Sequence, residues 1–470
     1  MTNIKHHEVK LQTIHEQLRF FNDNNLKARI YHGSTNSTRA FQTDRQTSVD
    51  VSHLNSIIKI NEEQQYALVE PNVPMDVLVN ETLKYGLLPP VVPEFPGITV
   101  GGGVQGGAEE SSSFKHGLLH SCCLEYEIIL GNGKTLVASP VKNSDLFYGT
   151  ACSYGSLGVI TLIKLKLIPA KKFVNLTYHK VSSFEEALKQ LKLLAATDID
   201  FLDCIMFSRC YGVIMSGKLS DDERSAAVTF SKATDEWFYI HVRKVGKRSP
   251  KYTETIPVKE YLFRYDRGTF WTGHLGFKII KVPFNRLTRY LLDKACRTRT
   301  SYRFLHETNL SQRYMFQDFN ISLENSLEFL VEVDRRLQIY PLWLCPLKPD
   351  NQHKLTANYT TSNNLVINIG VWGEIGKDFS RFLHLNKKFE NLATKLAGRK
   401  MLYAHAYYSK KDFWQIYDHK WYEGLRLKYK ASKVFPDIYD KTHVSDKYNP
   451  GVLKGFWRVV GPFNASRKSS

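Results

Sequence analysis

Pro93-Glu94-Phe95-Pro96-Gly97-Ile98-Thr99-Val100-Gly101-Gly102-Gly103-Val104-Gln105-Gly106-Gly107-Ala108-Glu109-Glu110-Ser111-Ser112-Ser113-Phe114-Lys115-His116-Gly117-Leu118-Leu119 is the stretch that decides how this chain folds. Five glycines fall between Gly101 and Gly107, directly after the apolar step Ile98-Thr99-Val100. Glycine contributes no side chain to a core and costs backbone entropy, so this density predicts a loop whose backbone approaches something closely. Successive N–H groups exposed in such a loop form a nest for phosphate oxygens. A tight surface turn has the same composition, and the flanking sequence must separate the two.

Working outward, a second small-residue turn lies upstream at His32-Gly33-Ser34-Thr35-Asn36-Ser37-Thr38-Arg39, after a short strand over Ala28–Tyr31. Its hydroxyl and amide side chains supply donors, and Gly33 allows a tight bend. A third turn follows downstream, Tyr154-Gly155-Ser156-Leu157-Gly158-Val159-Ile160-Thr161, and launches a strand in which Ile163, Leu165 and Leu167 alternate with Lys164 and Lys166. Around these turns the spacing predicts an amphipathic helix over Val9–Phe21 and short strands at Ser48–Val51, Ile57–Ile60 and Tyr66–Val69. It also predicts a helix from Pro74 to Gly86 and a hairpin, Leu124–Leu130 with Thr135–Ala138, around Gly131-Asn132-Gly133. Asn143 reads as the cap of a further helix. The pattern is α+β, and no G-x-G-x-x-G follows the first strand, which argues against a dinucleotide-binding βαβ unit.

The chain has 470 residues, enough for two domains that each bury a core. At 43% hydrophobic and 23% charged it is globular rather than disordered. A net charge of +18 fits an anionic cofactor, substrate or lipid surface; the basic residues are dispersed and form no nucleic-acid motif. Seven cysteines without a C-x-x-C pair argue against a disulfide framework or a structural zinc site, and no metal is expected. The N-terminus lacks a signal-peptide core, and no apolar run is long enough to span a bilayer. The expectation is an intracellular protein of a reducing compartment, soluble or peripheral to a membrane.

The three turns, in this order, resemble the FAD-binding domain of the p-cresol methylhydroxylase (PCMH)/vanillyl-alcohol oxidase superfamily. That resemblance implies two α+β subdomains with FAD extended between them over residues 1–171. It further implies an α+β cap, or substrate, domain over 172–470, whose C-terminal part packs back on the first domain. The FAD contacts it implies are Gly33, Ser34, Thr35, Asn36, Ser37 and Thr38 in the first turn. In the central stretch they are Thr99, Val100, Gly101, Gly102, Gly103, Gly106, Gly107, Glu110, Ser111, Ser112, His116 and Gly117, and in the third turn Gly155, Gly158 and Val159. Many relatives bind FAD covalently through a histidine where this chain has Asn36, and no cysteine occurs in Phe95–Val104, so non-covalent FAD is expected.

The likeness is closer still to the Delta(24)-sterol reductase family. Thr99–Gly102, Glu110–Leu118, Asn143–Tyr148 and Ile168–Lys172 carry it in the first half. Ile339–Pro346, Ile367–Glu374, Met401–Ala404, Asp412–Trp414 and Phe435–Lys441 carry it in the second. It implies reduction of a carbon–carbon double bond in the side chain of a sterol, with NADPH as co-substrate, although no separate nicotinamide motif is visible. Animal and plant members carry an N-terminal membrane-anchoring helix that this sequence lacks. The same fold also supports a flavin oxidase or dehydrogenase of an alcohol, sugar or hydroxy acid, or a flavin- or sterol-binding protein without turnover.

Alkene reduction needs a long apolar pocket and an acid facing the flavin. Tyr403, His405 and Tyr407 share one face of an expected strand, Glu374 ends another, and Tyr265 precedes Phe270-Trp271; these are the catalytic candidates. Packing tyrosines, a hydrogen-bonded core histidine and a solvated glutamate are the ordinary alternatives. Ser220–Glu236 reads as an exposed insertion. Arg286, Arg289, Lys294, Arg297, Arg299 and Arg303 alternate with apolar residues as in a basic helix, which suits either solvent or an anionic membrane surface.

Overall fold

The computed structural model describes residues 3–33, 37–39, 47–444, 446–449 and 451. Ser34, Thr35 and Asn36 of the first turn lie outside them. Two antiparallel sheets organise the rest, and the α+β expectation holds. The first sheet has five strands in the order Ile57–Asn61, Tyr66–Val69, Val159–Lys166, Cys123–Ile129, Thr135–Ala138. A separate parallel pair joins Arg29–Tyr31 to Ser48–Asp50. The first helix runs from Asn3 to Asp23, longer than the apolar stripe alone predicts. Its stripe, Leu11, Ile14, Leu18 and Phe21, is buried in the first core. One turn earlier His7 reaches the carboxylates of Glu70 (2.8 Å) and Glu127 (3.2 Å). Burial opposes its charge, but those two hydrogen bonds outweigh it and push its pKa up to about 9.

The second sheet has eight strands, in the order Lys251–Pro257, Phe173–Val181, Tyr211–Ser220, Phe201–Ser208, Leu342–Leu347, Val366–Glu374, Tyr314–Ser322 and Arg399–Lys400. Its two faces follow from the two-residue period of a strand. Met315, Phe319, Ile321, Ile367, Ile369 and Val371 point to one side, where the helices Phe184–Ala195, Leu323–Leu337 and Phe379–Lys395 cover them. Trp343, Trp372 and Phe316 point to the other side, toward the glycine loop.

The two ends of the chain share one core. Leu402, Tyr408, Phe413, Tyr422, Leu425, Phe435 and Ile438 pack in the same cluster as Leu11, Val100 and Ile163. Arg426 donates to the carbonyl of Ser156 at 2.7 Å, and the amide of Ala28 donates to the carbonyl of Val434 at 2.8 Å.

Several local expectations change. Residues 401–408 form turns and extended backbone rather than a strand, with only Ala406 bridging to His443. Asn143 adopts a left-handed φ of 48° and gives its side-chain amide to the Val137 carbonyl at 2.8 Å instead of capping its helix. The insertion is exposed over residues 221–227 and again at Ser231, Lys232 and Thr234, but Phe230 between them is buried and Arg267 holds the carbonyls of Phe230, Ala233 and Asp235. The basic segment breaks into a helix Arg286–Leu291, a 3-10 turn Asp293–Cys296 and a helix Thr298–Thr308. Arg297 pairs there with Asp266 and Asp293, and Arg299, still half exposed, pairs with Asp76. Among the described residues, no helix is long and apolar enough to cross a membrane.

Candidate functional site between the glycine loop and the aromatic sheet face

A cavity of about 620 Å³ lies between the two sheets, and the three turns converge on it. From the sequence candidates, Ser37, Thr38, Thr99, Gly101, Gly102, Gly103, Gly106, Gly107, Gly155 and Val159 line it. The glycines act differently from the nest expected of them. The amides of Gly101 and Gly103 donate to the carbonyls of Pro71 and Thr99, both at 2.8 Å. Gly102 donates to Thr99 Oγ1 at 3.2 Å, a side-chain bond that a ligand can replace. A Cβ on Gly101 or Gly103 would sit 2.5 Å from Pro71 Cβ or Leu119 Cδ2, so these two glycines let the loop pack inward. A Cβ on Gly106 would meet nothing within 4 Å.

Positive charge at this end comes from the last residue of the first turn, Arg39, and from two residues outside the turn motifs. Arg29, Arg39 and Lys441 line the cavity, and burial, then Arg29, Arg426 and Arg39, press the Lys441 pKa down to about 7. Buried Thr38 Oγ1 beside them has no hydrogen-bond partner. Crowded cations beside an unsatisfied hydroxyl are the donor set that a pyrophosphate takes up, so the residues present fit FAD.

Gly33 bends the first turn with a φ of 81° without lining the cavity. Val100 and Gly158 are packed behind the wall. Glu110, Ser111 and Ser112 do not reach it either. Ser111 Oγ donates to Glu110 at 2.7 Å and meets Tyr261 at 2.9 Å, and Ser112 Oγ donates to the Pro90 carbonyl at 2.7 Å. Buried Arg264 joins this cluster to Asp203 at 3.2 Å, and Asp203 also accepts from Tyr265 (2.9 Å) and Trp343 (3.1 Å). The Glu-Ser-Ser run therefore bolts the loop to the second sheet. His116 and Gly117 lie away from the cavity, on the helix Ser113–His116 and its end.

The other end of the cavity is apolar, walled by Phe95, Phe270, Phe304, Phe316, Trp343 and Trp372. Set into this wall are Glu94, Glu109, Asp318, Tyr302 and Tyr403. Burial raises all three carboxyl pKa values, and mutual repulsion adds to the shift of Glu109. Asp318 stands at about 7, burial outweighing the hydrogen bonds from Tyr403 and Trp372. Tyr403 Oη donates to Asp318 Oδ2, and Trp372 Nε1 donates to the same oxygen at 3.2 Å. The register places Gly370 beside Asp318, where a Cβ would meet Asp318 Oδ1 at 2.9 Å and the Trp372 ring at 2.7 Å. A small residue at 370 is what lets that indole fold over the acid.

Tyr403 is the one catalytic candidate that faces the cavity, held there by Ser37 and Arg39, which donate to the carbonyls of residues 402–404. His405 is buried off the wall, and burial, with Arg39 and Lys400 nearby, keeps it neutral far below its usual range. Tyr407 packs against Phe382, Tyr265 stacks on Phe270 at 3.8 Å, and exposed Glu374 pairs with Arg313 at 3.5 Å. The residues missed are Asp318 and Glu109. Alternation of Met315, Phe319 and Ile321 with Phe316, Asp318 and Asn320 was the signal that puts an acid on the inner strand face.

Residues 10–139 match the model of an FAD binding domain. Over 460 residues the chain is 27% identical to a Delta(24)-sterol reductase homologue of Caenorhabditis elegans, covering 93% of this chain and 87% of that one. It is 29% identical to the Homo sapiens Delta(24)-sterol reductase over 446 residues, 93% and 86% of the two chains. The Arabidopsis thaliana Delta(24)-sterol reductase is 27% identical over 445 residues, 86% of this chain and 77% of the plant one.

Proposed function

We propose, from the premise that the chain belongs to the Delta(24)-sterol reductase family of FAD-binding proteins, that it is an FAD-dependent oxidoreductase. It reduces a carbon–carbon double bond in the side chain of a sterol, with NADPH as donor. The observation that carries this reading is one cavity with a cationic, glycine-lined end and an aromatic end holding a carboxyl whose pKa is raised to about 7. Bound non-covalently, FAD supplies hydride chemistry. Arg29, Arg39, Lys441 and Thr38 would hold its pyrophosphate, at the end of the cavity that the ten candidates line. The aromatic wall takes the hydrocarbon and excludes water. The Asp318–Tyr403 pair holds the proton, which passes to the less substituted alkene carbon. Positive charge is left on the more substituted carbon, where hydride adds, and solvent reprotonates the pair. Seven free cysteines fit a reducing compartment, and the proposed place of work is the cytoplasmic face of the endoplasmic reticulum.

The test is anaerobic. NADPH is expected to bleach the flavin of the purified protein, and a Delta(24) sterol to restore its oxidised spectrum. Rapid reoxidation by oxygen but not by sterol overturns the reading in favour of an oxidase.

A sterol must also reach the cavity. Its apolar end is edged by Leu275, Ile279, Ile280, Leu292 and Ala295. Beside it the helix Arg286–Leu291 exposes Leu287 (65%), Tyr290 (50%) and Leu291 (68%), flanked by the exposed cations Lys278, Lys281, Arg286 and Lys294. Large exposed apolar side chains among cations suit an anionic lipid surface, with the cavity opening next to it. Changing Leu287 and Leu291 together to serine is expected to weaken binding to phosphatidylserine-containing vesicles by about tenfold or more in co-sedimentation. Unchanged binding rules this face out.

A further inference from the structure

Outside the cavity, the structure assigns a divalent-metal site to His120, Asp350 and His353. These residues come from different segments. His120 belongs to the 3-10 turn Leu119–Cys122, directly after the glycine-rich stretch, and Asp350 and His353 follow the strand Leu342–Leu347. One ligand atom from each lies within 4.8 Å of the other two. Asp350 Oδ2 sits between the rings, 2.7 Å from His353 Nδ1 and 3.5 Å from His120 Nε2. The ring centroids are 4.5 Å apart.

The independent observation is an unmet hydrogen-bonding demand. His120 is fully buried, and neither of its ring nitrogens has a hydrogen-bond partner. His353 Nε2 is likewise buried and unpartnered. A neutral imidazole presents one donor and one acceptor, and leaving them unmet in a protein interior is unfavourable. Two imidazoles and one carboxylate form the nitrogen-oxygen set that suits Zn²⁺. Tetrahedral Zn²⁺ spaces neighbouring ligand atoms by about 3.3 Å. The His120–Asp350 edge already has nearly that length, and a small rotation of His353 opens the other. Water takes the fourth position.

None of the three residues lines the cavity, so the ion is structural in this assignment. It ties the segment following Leu347 to the turn against which the glycine loop packs. Leu119 in that turn is the residue a Cβ on Gly103 would strike, and its amide donates to the carbonyl of Ala108 at 2.9 Å. The assignment stands independently of the proposed reaction.

The experiment uses the full-length untagged holoprotein, treated with chelator, dialysed and titrated with Zn²⁺ or Co²⁺. One metal per protein molecule, the visible absorption of tetrahedral Co²⁺ and a rise in Tm on adding either ion are expected. His120→Gln and His353→Gln should each abolish the absorption and the Tm rise, with the far-ultraviolet circular dichroism unchanged. If either variant misfolds, Asp350→Asn gives the same readout. A chelated protein that takes up no tetrahedral Co²⁺, or a Co²⁺ spectrum that survives in the folded variants, overturns the site and leaves a buried water between the rings.

Discussion

Replacing Asp318 by Asn lowers the rate of sterol-dependent flavin reoxidation by about 10²–10⁴-fold, the usual worth of a positioned acid. Asparagine keeps the shape and still accepts from Tyr403 and Trp372, so flavin content and the flavin spectrum stay as they are. Tyr403→Phe slows the same step and leaves Asp318 with only the Trp372 bond at 3.2 Å. Stopped-flow reoxidation of photoreduced flavin separates this from donor binding, because no NADPH is present. The pH dependence has a definite sign. The reaction uses the protonated carboxyl, whose pKa is about 7, so the rate falls as pH rises through 7 and the fall disappears in Asp318→Asn. Stability follows the same direction. A carboxyl with a raised folded pKa contributes stability that is full below its unfolded pKa, near 3.9, and is lost by about pH 7. A rate that keeps its profile in Asp318→Asn would remove the acid role.

The largest effect on stability is expected at Arg264. Its guanidinium is fully buried against Asp203 at 3.2 Å and Glu110 at 3.9 Å, and stacks on Tyr261 at 4.0 Å. Arg264→Met leaves buried carboxylates without their cation, which costs about 3–5 kcal/mol. Chemical denaturation at neutral pH measures this. The loss shrinks as pH falls, because the stranded Glu110, whose pKa burial already raises, can then be protonated. Arg264→Met with Asp203→Asn costs less than Arg264→Met alone. Equal costs for the single and double variants would show that the pair is not coupled.

This bolt also marks where the sequence stops being legible. Glycine turns, strand alternation and the helix stripe at Leu11, Ile14, Leu18 and Phe21 all depend on near neighbours in the chain, and they place the first sheet within a residue or two. Ser111 and Glu110 look like cofactor residues because they follow the glycines. Their partners, Tyr261, Arg264 and Asp203, are far away in sequence, and no local rule brings them together. Lys441 and Arg39 are equally invisible as a pair until the C-terminal segment folds back. Tyr403–Tyr407 has strand periodicity, yet Arg39, Ser37 and Lys400 capture its carbonyls and hold it as a turn. Here side-chain donors from elsewhere outcompete a sheet edge. Asp318 was missed because one acid in an apolar alternation has no motif of its own.

The shared core of the two termini has a consequence for biosynthesis. A ribosome that has delivered the glycine loop and all five strands of the first sheet has not yet delivered Tyr422, Arg426, Phe435 or Lys441. Until it does, Ser156 lacks its partners, the first core is open on one side, and the cationic end of the cavity lacks Lys441. The flavin half therefore cannot be completed during translation, although its strands come first. Loading of the cofactor is a post-translational event, and a polypeptide truncated after residue 400 retains every glycine motif while losing the means to close around a nucleotide.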